Sequence, residues 1–130
     1  MRLLIDTNIF LELLLEQAKA REARNLLEKT HMHQLFVSDY ALHSIGLILL
    51  RRRQAETFRQ FLVDVRIATT IVSLGLVELE AVIDASTSFN LDFDDAYQYV
   101  AAEKLDLSIV SFDADFDRTP RGRQTPSTIL

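Results

Sequence analysis

The chain has no cysteine among its 130 residues. Disulfides and thiolate metal sites are therefore excluded, and any metal ion must be held by Asp, Glu, His or backbone oxygen. The absence also suits a cytoplasmic protein. Positive charge is in deficit: 14 Lys and Arg against 19 Asp and Glu leave a formal charge of −5. Such a balance argues against a surface that attracts polyanions everywhere, so a nucleic-acid substrate would rely on metal ions and a few local arginines. No apolar run approaches membrane-spanning length, and the N-terminus lacks the basic stretch, apolar centre and small-residue cleavage site of a secretory signal. Linkers, internal repeats and low-complexity segments are missing as well. What is present is 48% hydrophobic and 25% charged. At this length that means one domain with a real core and no room for a second. Residues 1–130 are thus expected to form a single soluble, cytoplasmic domain with no membrane contact.

The run Leu3-Leu4-Ile5 ends abruptly in Asp6-Thr7-Asn8. An apolar run of this kind reads as a central strand buried on both faces, with polar groups exposed where it stops. In open α/β sheets that carboxyl edge is where ligands bind, which makes Asp6 the first candidate for chemistry. Thr7 or Asn8 is expected to cap the helix that Ile9 begins. The plainer reading of all three is a strand-to-helix cap.

Beyond this strand, over residues 2 to 6, the segment 8 to 29 reads as a helical hairpin broken near Glu16-Gln17. Gln34 to Val37 is a second strand, and Ser38 or Asp39 caps a helix with apolar positions Leu42, Ile45 and Leu49. Gly46 inside that helix costs about 1 kcal/mol relative to Ala, which a close helix contact would explain. Arg51-Arg52-Arg53 closes it, where cations favour the helix dipole. Phe58, Phe61, Leu62 and Val65 mark another helix, Thr69 to Val72 a third strand, and Leu76, Leu79 and Ile83 a helix from about Gly75 to Phe89. Asp92 then caps a helix that places Asp95 third and turns Phe93, Tyr97, Val100 and Ala101 to the core. Leu107 to Phe112 is a fourth strand, apolar until Asp113. The tail, with Pro120, Pro126, Arg118, Arg121 and Arg123, starts as a loop, and Ser127 to Leu130 is expected to close the sheet as an edge strand.

Strands alternating with helices predict an α/β fold of three layers, a central parallel sheet of four or five strands flanked by helices. Asp6 and Asp113 would then open on the same edge, and Asp95 can reach it from the first turn of its helix. Three converging carboxylates repel by about 4 kcal/mol per close pair at an effective dielectric of 20. A divalent cation with oxygen ligands, Mg²⁺ or Mn²⁺, is the usual compensation.

Leu4-Ile5-Asp6-Thr7-Asn8, the segment Ser38 to His43, Asp95-Ala96 and Ser111-Phe112-Asp113-Ala114-Asp115-Phe116 together resemble the PIN-domain family, in particular its small toxin-like members of the VapC type. The resemblance covers essentially the whole chain in order and spacing. It implies an acidic cluster binding Mg²⁺ or Mn²⁺, metal-dependent endoribonuclease activity on RNA, a homodimer and a small antitoxin partner. Asp6, Asp95 and Asp113 match the family's first, third and fourth acidic positions and would be the metal ligands. Ser111 matches a hydroxyl beside the last of them, and Asn8 a polar residue accompanying the first. At the second acidic position, usually Glu, the expectation falls on His43. A neutral imidazole there would ligate Mn²⁺ but suits Mg²⁺ poorly.

The implied reaction is metal-assisted attack of water on a phosphodiester, with Ser111 or Asn8 positioning a water or a phosphate oxygen. Arg51 to Arg53, and Arg118, Arg121 and Arg123, are candidates to contact the RNA backbone, the latter set because it follows Asp113 closely. Asp115 and Asp117 read as turn and capping residues. A second class of function is a catalytically weakened PIN-like module that binds RNA or a protein partner, for which His43 is the main support. A phosphotransfer or phosphatase domain is disfavoured: no second carboxylate stands two residues after Asp6, and no lysine ends a strand.

Overall fold

Sheet formation follows from the alternation of short apolar runs. In the computed structural model, which describes residues 1–29 and 31–129, Arg2–Ile5 is β1, Gln34–Ser38 β2, Thr69–Val72 β3 and Ser108–Val110 β4. They form one parallel sheet in the order β3-β2-β1-β4. Leu4 pairs with Phe36 on one side and with Ile109 on the other, so β1 is covered along both edges. Its side chains alternate between the two faces, as strand geometry requires.

Each face carries its own core. Leu3, Ile5, Leu35 and Val37 pack with Ile9, Phe10, Leu26, Ile45, Leu49 and Phe61. These come from α1 (Thr7–Leu14), α2 (Ala20–Leu27), α3 (Asp39–Arg51) and α4 (Ala55–Ala68). On the opposite face Leu4, Phe36, Val72 and Ile109 pack with Val82, Leu91, Ala96 and Val100, contributed largely by α5 (Leu76–Phe89) and α6 (Phe93–Leu105). The result is the three-layer α/β fold that the residue pattern implies. Among the described residues no helix is long and apolar enough to cross a membrane.

Local chemistry sets the element ends. The hairpin between α1 and α2 turns at Glu16, whose φ of 52° is left-handed, where the sequence places the break. The Ser38 hydroxyl caps α3 by accepting from the Ala41 amide at 3.0 Å, and Asp92 caps α6 by accepting from the Asp95 amide at 2.9 Å. The cap of α1 is Asp6 itself, accepting from the Thr7 amide at 2.8 Å, and not Thr7 or Asn8. The close contact inferred at Gly46 exists: a Cβ there would lie 2.9 Å from the Phe58 ring of α4.

Several expected faces are different. Phe93 is 51% exposed instead of buried, Leu62 is exposed, and Leu76 and Ile83 of α5 face solvent while Val82 and Ala85 are buried. The tail does not close the sheet at Ser127 to Leu130. Pro126–Thr128 forms a 3₁₀ turn, Leu130 lies outside the described residues, and the pairing with β4 is a single parallel bridge from Gln124 to Val110. Proline at the start of a helical turn is favoured because it has no N–H to give a sheet ladder.

Candidate metal centre

Asp6 sits where β1 meets α1, and both of its oxygens are engaged. Oδ1 accepts from the Thr7 amide at 2.8 Å and the Gln98 side chain at 3.0 Å; Oδ2 accepts from the Ser111 hydroxyl at 2.7 Å and the Asn8 side chain at 3.3 Å. Burial pushes this carboxyl above its ordinary pKa and the Asp113 charge adds to the rise, while the bonds from Gln98, Ser111 and Thr7 oppose it. Ser111 is the hub. Its oxygen also accepts from the Asn8 amide at 3.0 Å and from the Asp113 backbone at 2.9 Å. Asn8 in turn accepts from the Phe112 amide at 3.1 Å. The ends of β1 and β4 are thereby tied into one polar network.

Asp95, third residue of α6, is buried, and its Oδ2 has no hydrogen-bond partner. Asp113 caps the 3₁₀ turn Ala114–Arg118 by accepting from the Asp115 amide at 2.9 Å. Ligand oxygens of Asp95, Asp113 and Asp115 all lie within 4.8 Å of one another. Burial is the main reason that Asp95 is pushed up to about 8, followed by its hydrogen bond with Asp113 and the charges of Asp113, Asp92 and Asp6. A proton held between two carboxylates is what a cation would displace. The buried, unpartnered oxygen and an all-oxygen donor set fit a hard divalent ion such as Mg²⁺ or Mn²⁺.

A cavity of about 230 Å³ opens over this cluster and brings Asp6, Asp95 and Asp113 together with Asn8, Tyr40, Ser44 and Gln98. His43 is not among its walls. It is exposed and lies instead on an apolar groove with Leu42, Gly46, Leu47, Leu50 and Phe58. Successive helix residues are about 100° apart, so the α3 face that meets the acids is Tyr40, Ser44 and Ile48. The side chain supplied there is an uncharged hydroxyl. The sole carboxylate of α3, Asp39, accepts from the Tyr97 hydroxyl at 2.7 Å and the Tyr40 amide at 2.8 Å.

Besides Tyr40 and Ser44 of α3, Gln98 and Asp115 belong to the site without having been singled out from sequence. Gln98 falls three positions after Asp95, hence on the same side of α6, and its Oε1 is buried without a partner. Asp115, read as a turn former, is also one of the three clustered carboxylates.

Arg118, Arg121 and Arg123 each have internal partners. Arg118 donates to the Phe89 and Asn90 carbonyls and to Asp115. Arg121 donates to the Leu107 carbonyl and Asp106, and Arg123 to the Ser111 carbonyl and Asp117. Loop and element-end carbonyls that lack ladder partners need donors, and these guanidiniums provide them.

The family model of the PIN domain matches residues 3–122. This chain belongs to the PIN-domain family. Solved structures with the same fold include a toxin–antitoxin complex from Klebsiella pneumoniae, at a TM-score of 0.75 and 23% identity over 95% of this chain and 96% of that one. VapBC2 from Rickettsia felis, bound to a DNA fragment from its promoter, gives a TM-score of 0.77 at 13% identity, with 95% and 96% covered. VapC20 from Mycobacterium tuberculosis, described as a sarcin–ricin loop cleaving toxin, gives 0.72 at 17% identity, with 88% and 92% covered. None of the curated proteins compared with this PIN domain matches it in sequence.

Proposed function

We propose that this PIN domain is a metal-dependent endoribonuclease that hydrolyses phosphodiester bonds in RNA and serves as the toxin of a toxin–antitoxin pair. The observation that carries the reading is the buried, unpartnered Asp95 Oδ2 grouped with Asp113 and Asp115 at ligand separation. These three carboxylates would hold Mg²⁺ or Mn²⁺, with Asp6 lining the same cavity as an outer or additional ligand. The ion supplies a lowered pKa for a bound water and countercharge for the pentacovalent phosphorus. Ser111 and Asn8 keep Asp6 fixed and ionisable, and Gln98 directs a free carbonyl oxygen from beside it. That oxygen can accept a hydrogen bond from a water and so orient it.

The toxin part of the reading is supported by the shared fold of the Klebsiella toxin–antitoxin complex, Rickettsia VapBC2 and the Mycobacterium toxin VapC20. It is supported further by a groove of about 220 Å³ lined by Phe10, Leu13, Leu14, Leu27 and Phe61, which suits an apolar segment of an antitoxin. Exposed Leu47 and Leu50 on α3 favour a homodimer. The second reading, a weakened module that binds RNA or protein, draws on Ser44: no carboxylate reaches the cluster from α3.

The deciding experiment is cleavage of single-stranded RNA by purified protein in Mg²⁺ or Mn²⁺. Asp95→Asn and Asp113→Asn should each reduce the rate by more than about 100-fold, beyond what loss of an outer-shell partner costs. A folded parent that binds RNA but cuts no faster than these variants would favour the weakened module.

A further inference from the structure

Beside the acidic cavity stand exposed Phe93 and His43, which belong to neither core, and half-buried Tyr40, which packs against the second one. Phe93, the first residue of α6, is 51% exposed although it stands between Asp92 and Asp94 of the cavity wall, two residues before Asp95 of the cluster. Its ring centroid lies 5.7 Å from that of Tyr40, which lines the cavity, and Tyr40 lies 6.4 Å from exposed His43. Beneath them Tyr97 is buried, 5.3 Å from Tyr40 and 6.2 Å from Phe93. Tyr97 is pinned, donating to Asp39 at 2.7 Å and accepting from the Leu74 amide at 3.1 Å. Tyr40 is tilted by 50° to His43 and by 58° to Phe93 instead of stacked flat on either. Their interactions with each other therefore do not use up the ring faces.

Charge explains why such rings belong here. The rim carries Asp92 and Asp94, and the nearby tail arginines are spent on carbonyls and aspartates. No Lys, Arg or His is among the residues that line the cavity, so a polyanionic strand entering it would meet carboxylates unless a metal is bound. Base stacking is attraction of another kind, indifferent to the phosphate charge and tolerant of sequence because every base has a π-face.

We propose that Phe93, Tyr40 and His43 form a stacking shelf for the unpaired bases of a single-stranded RNA, holding the strand so that a neighbouring phosphodiester reaches the carboxylates. This rests on the nuclease reading of the same cavity. Phe93 supplies the most accessible face, Tyr40 connects it to the cavity wall, and His43 extends the shelf along α3. The place of His43 in the site is then a base contact and not a metal ligand. Duplex RNA, whose bases are already stacked, gains nothing from the shelf.

Binding is separated from cleavage by working in the Asp95→Asn background. The probe is a short single-stranded RNA carrying 2-aminopurine, read by fluorescence quenching and by anisotropy. The shelf requires quenching on binding, preference over duplex RNA, and a loss of about five- to 100-fold in affinity for Phe93→Ala, the range that stacked aromatics give. His43→Ala should give a smaller loss, and Phe93→Trp should hold the affinity or raise it. Thermal unfolding of Phe93→Ala should match that of its background, since the ring is half exposed.

Equal affinity and no change of quenching in Phe93→Ala would overturn the shelf, leaving the patch to a protein partner. An abasic strand bound as tightly as the RNA would overturn it too, as would a protein with no affinity for the probe. RNA that quenches on the shelf but is never cut by the parent in Mg²⁺ or Mn²⁺ would remove the nuclease reading alone. RNA cut at unchanged kcat/KM by Phe93→Ala would remove the shelf alone.

Discussion

Asp95 sets the protonation behaviour of the site. Its folded pKa of about 8 lies above the ordinary 3.8, so the folded state holds a proton that the unfolded chain has released over this interval. Stability of the metal-free protein should therefore fall as pH rises from about 4 to 8, and be fullest at the acid end of that window. Thermal unfolding between pH 5 and pH 8 in chelator is expected to show this slope, and Asp95→Asn to flatten it. Ser44 carries a second expectation. Because it faces the cluster while His43 does not, Ser44→Glu should tighten Mn²⁺ or Mg²⁺ binding in calorimetry by about tenfold or more, and His43→Glu should leave it unchanged. The positions of Asp6 and Asp113 on one sheet edge were legible in sequence because each ends an apolar run, although both also cap the turn that follows. The wall contributed by α3 was not, since one residue of misplacement on a helix turns a side chain by about 100°. Gln98 gave no signal of its own; only its spacing from Asp95 pointed to it.

Elements were read best where a short apolar run was bounded by polar residues. The first three strands appear within a residue of their expected bounds, and β4 is shorter because the Ser111 amide leaves β1 to donate to the Gln124 carbonyl at 3.0 Å. Helix α6 misled because every residue from Asp95 to Ala102 is buried. With no polar stripe to orient it, period alone placed Phe93 inside. Helices α3 and α4 offer a test of close approach. Gly→Ala in a helix interior ordinarily stabilises by about 1 kcal/mol, but at Gly46 the new methyl meets Phe58 at 2.9 Å. Overpacking costs about 1–3 kcal/mol, so urea unfolding of Gly46→Ala should show no gain and up to about 2 kcal/mol of loss. In a Phe58→Leu background, which removes the opposing ring edge, the same change should recover its ordinary gain.

The molecule as a whole is acidic, with a net charge of −5. Counterion release, which dominates binding by basic proteins, has little to act on. The logarithm of RNA affinity should fall with the logarithm of salt at a slope shallower than about −1.5, corresponding to two neutralised phosphates or fewer. A titration series in KCl checks this, and a slope several times steeper would mean that basic residues elsewhere grip the strand. The sheet order has a further bearing on how the site comes into being during synthesis. Strand β1 is made first and lies at the centre, yet its β4 edge and two of the carboxylates at its tip arrive more than 100 residues later. Until Ser111 and Asp113 emerge, Asp6 has neither its hydroxyl partner nor its acidic neighbour. An unfinished chain on the ribosome therefore holds no assembled carboxylate site, and a chain released early by a premature stop carries none away.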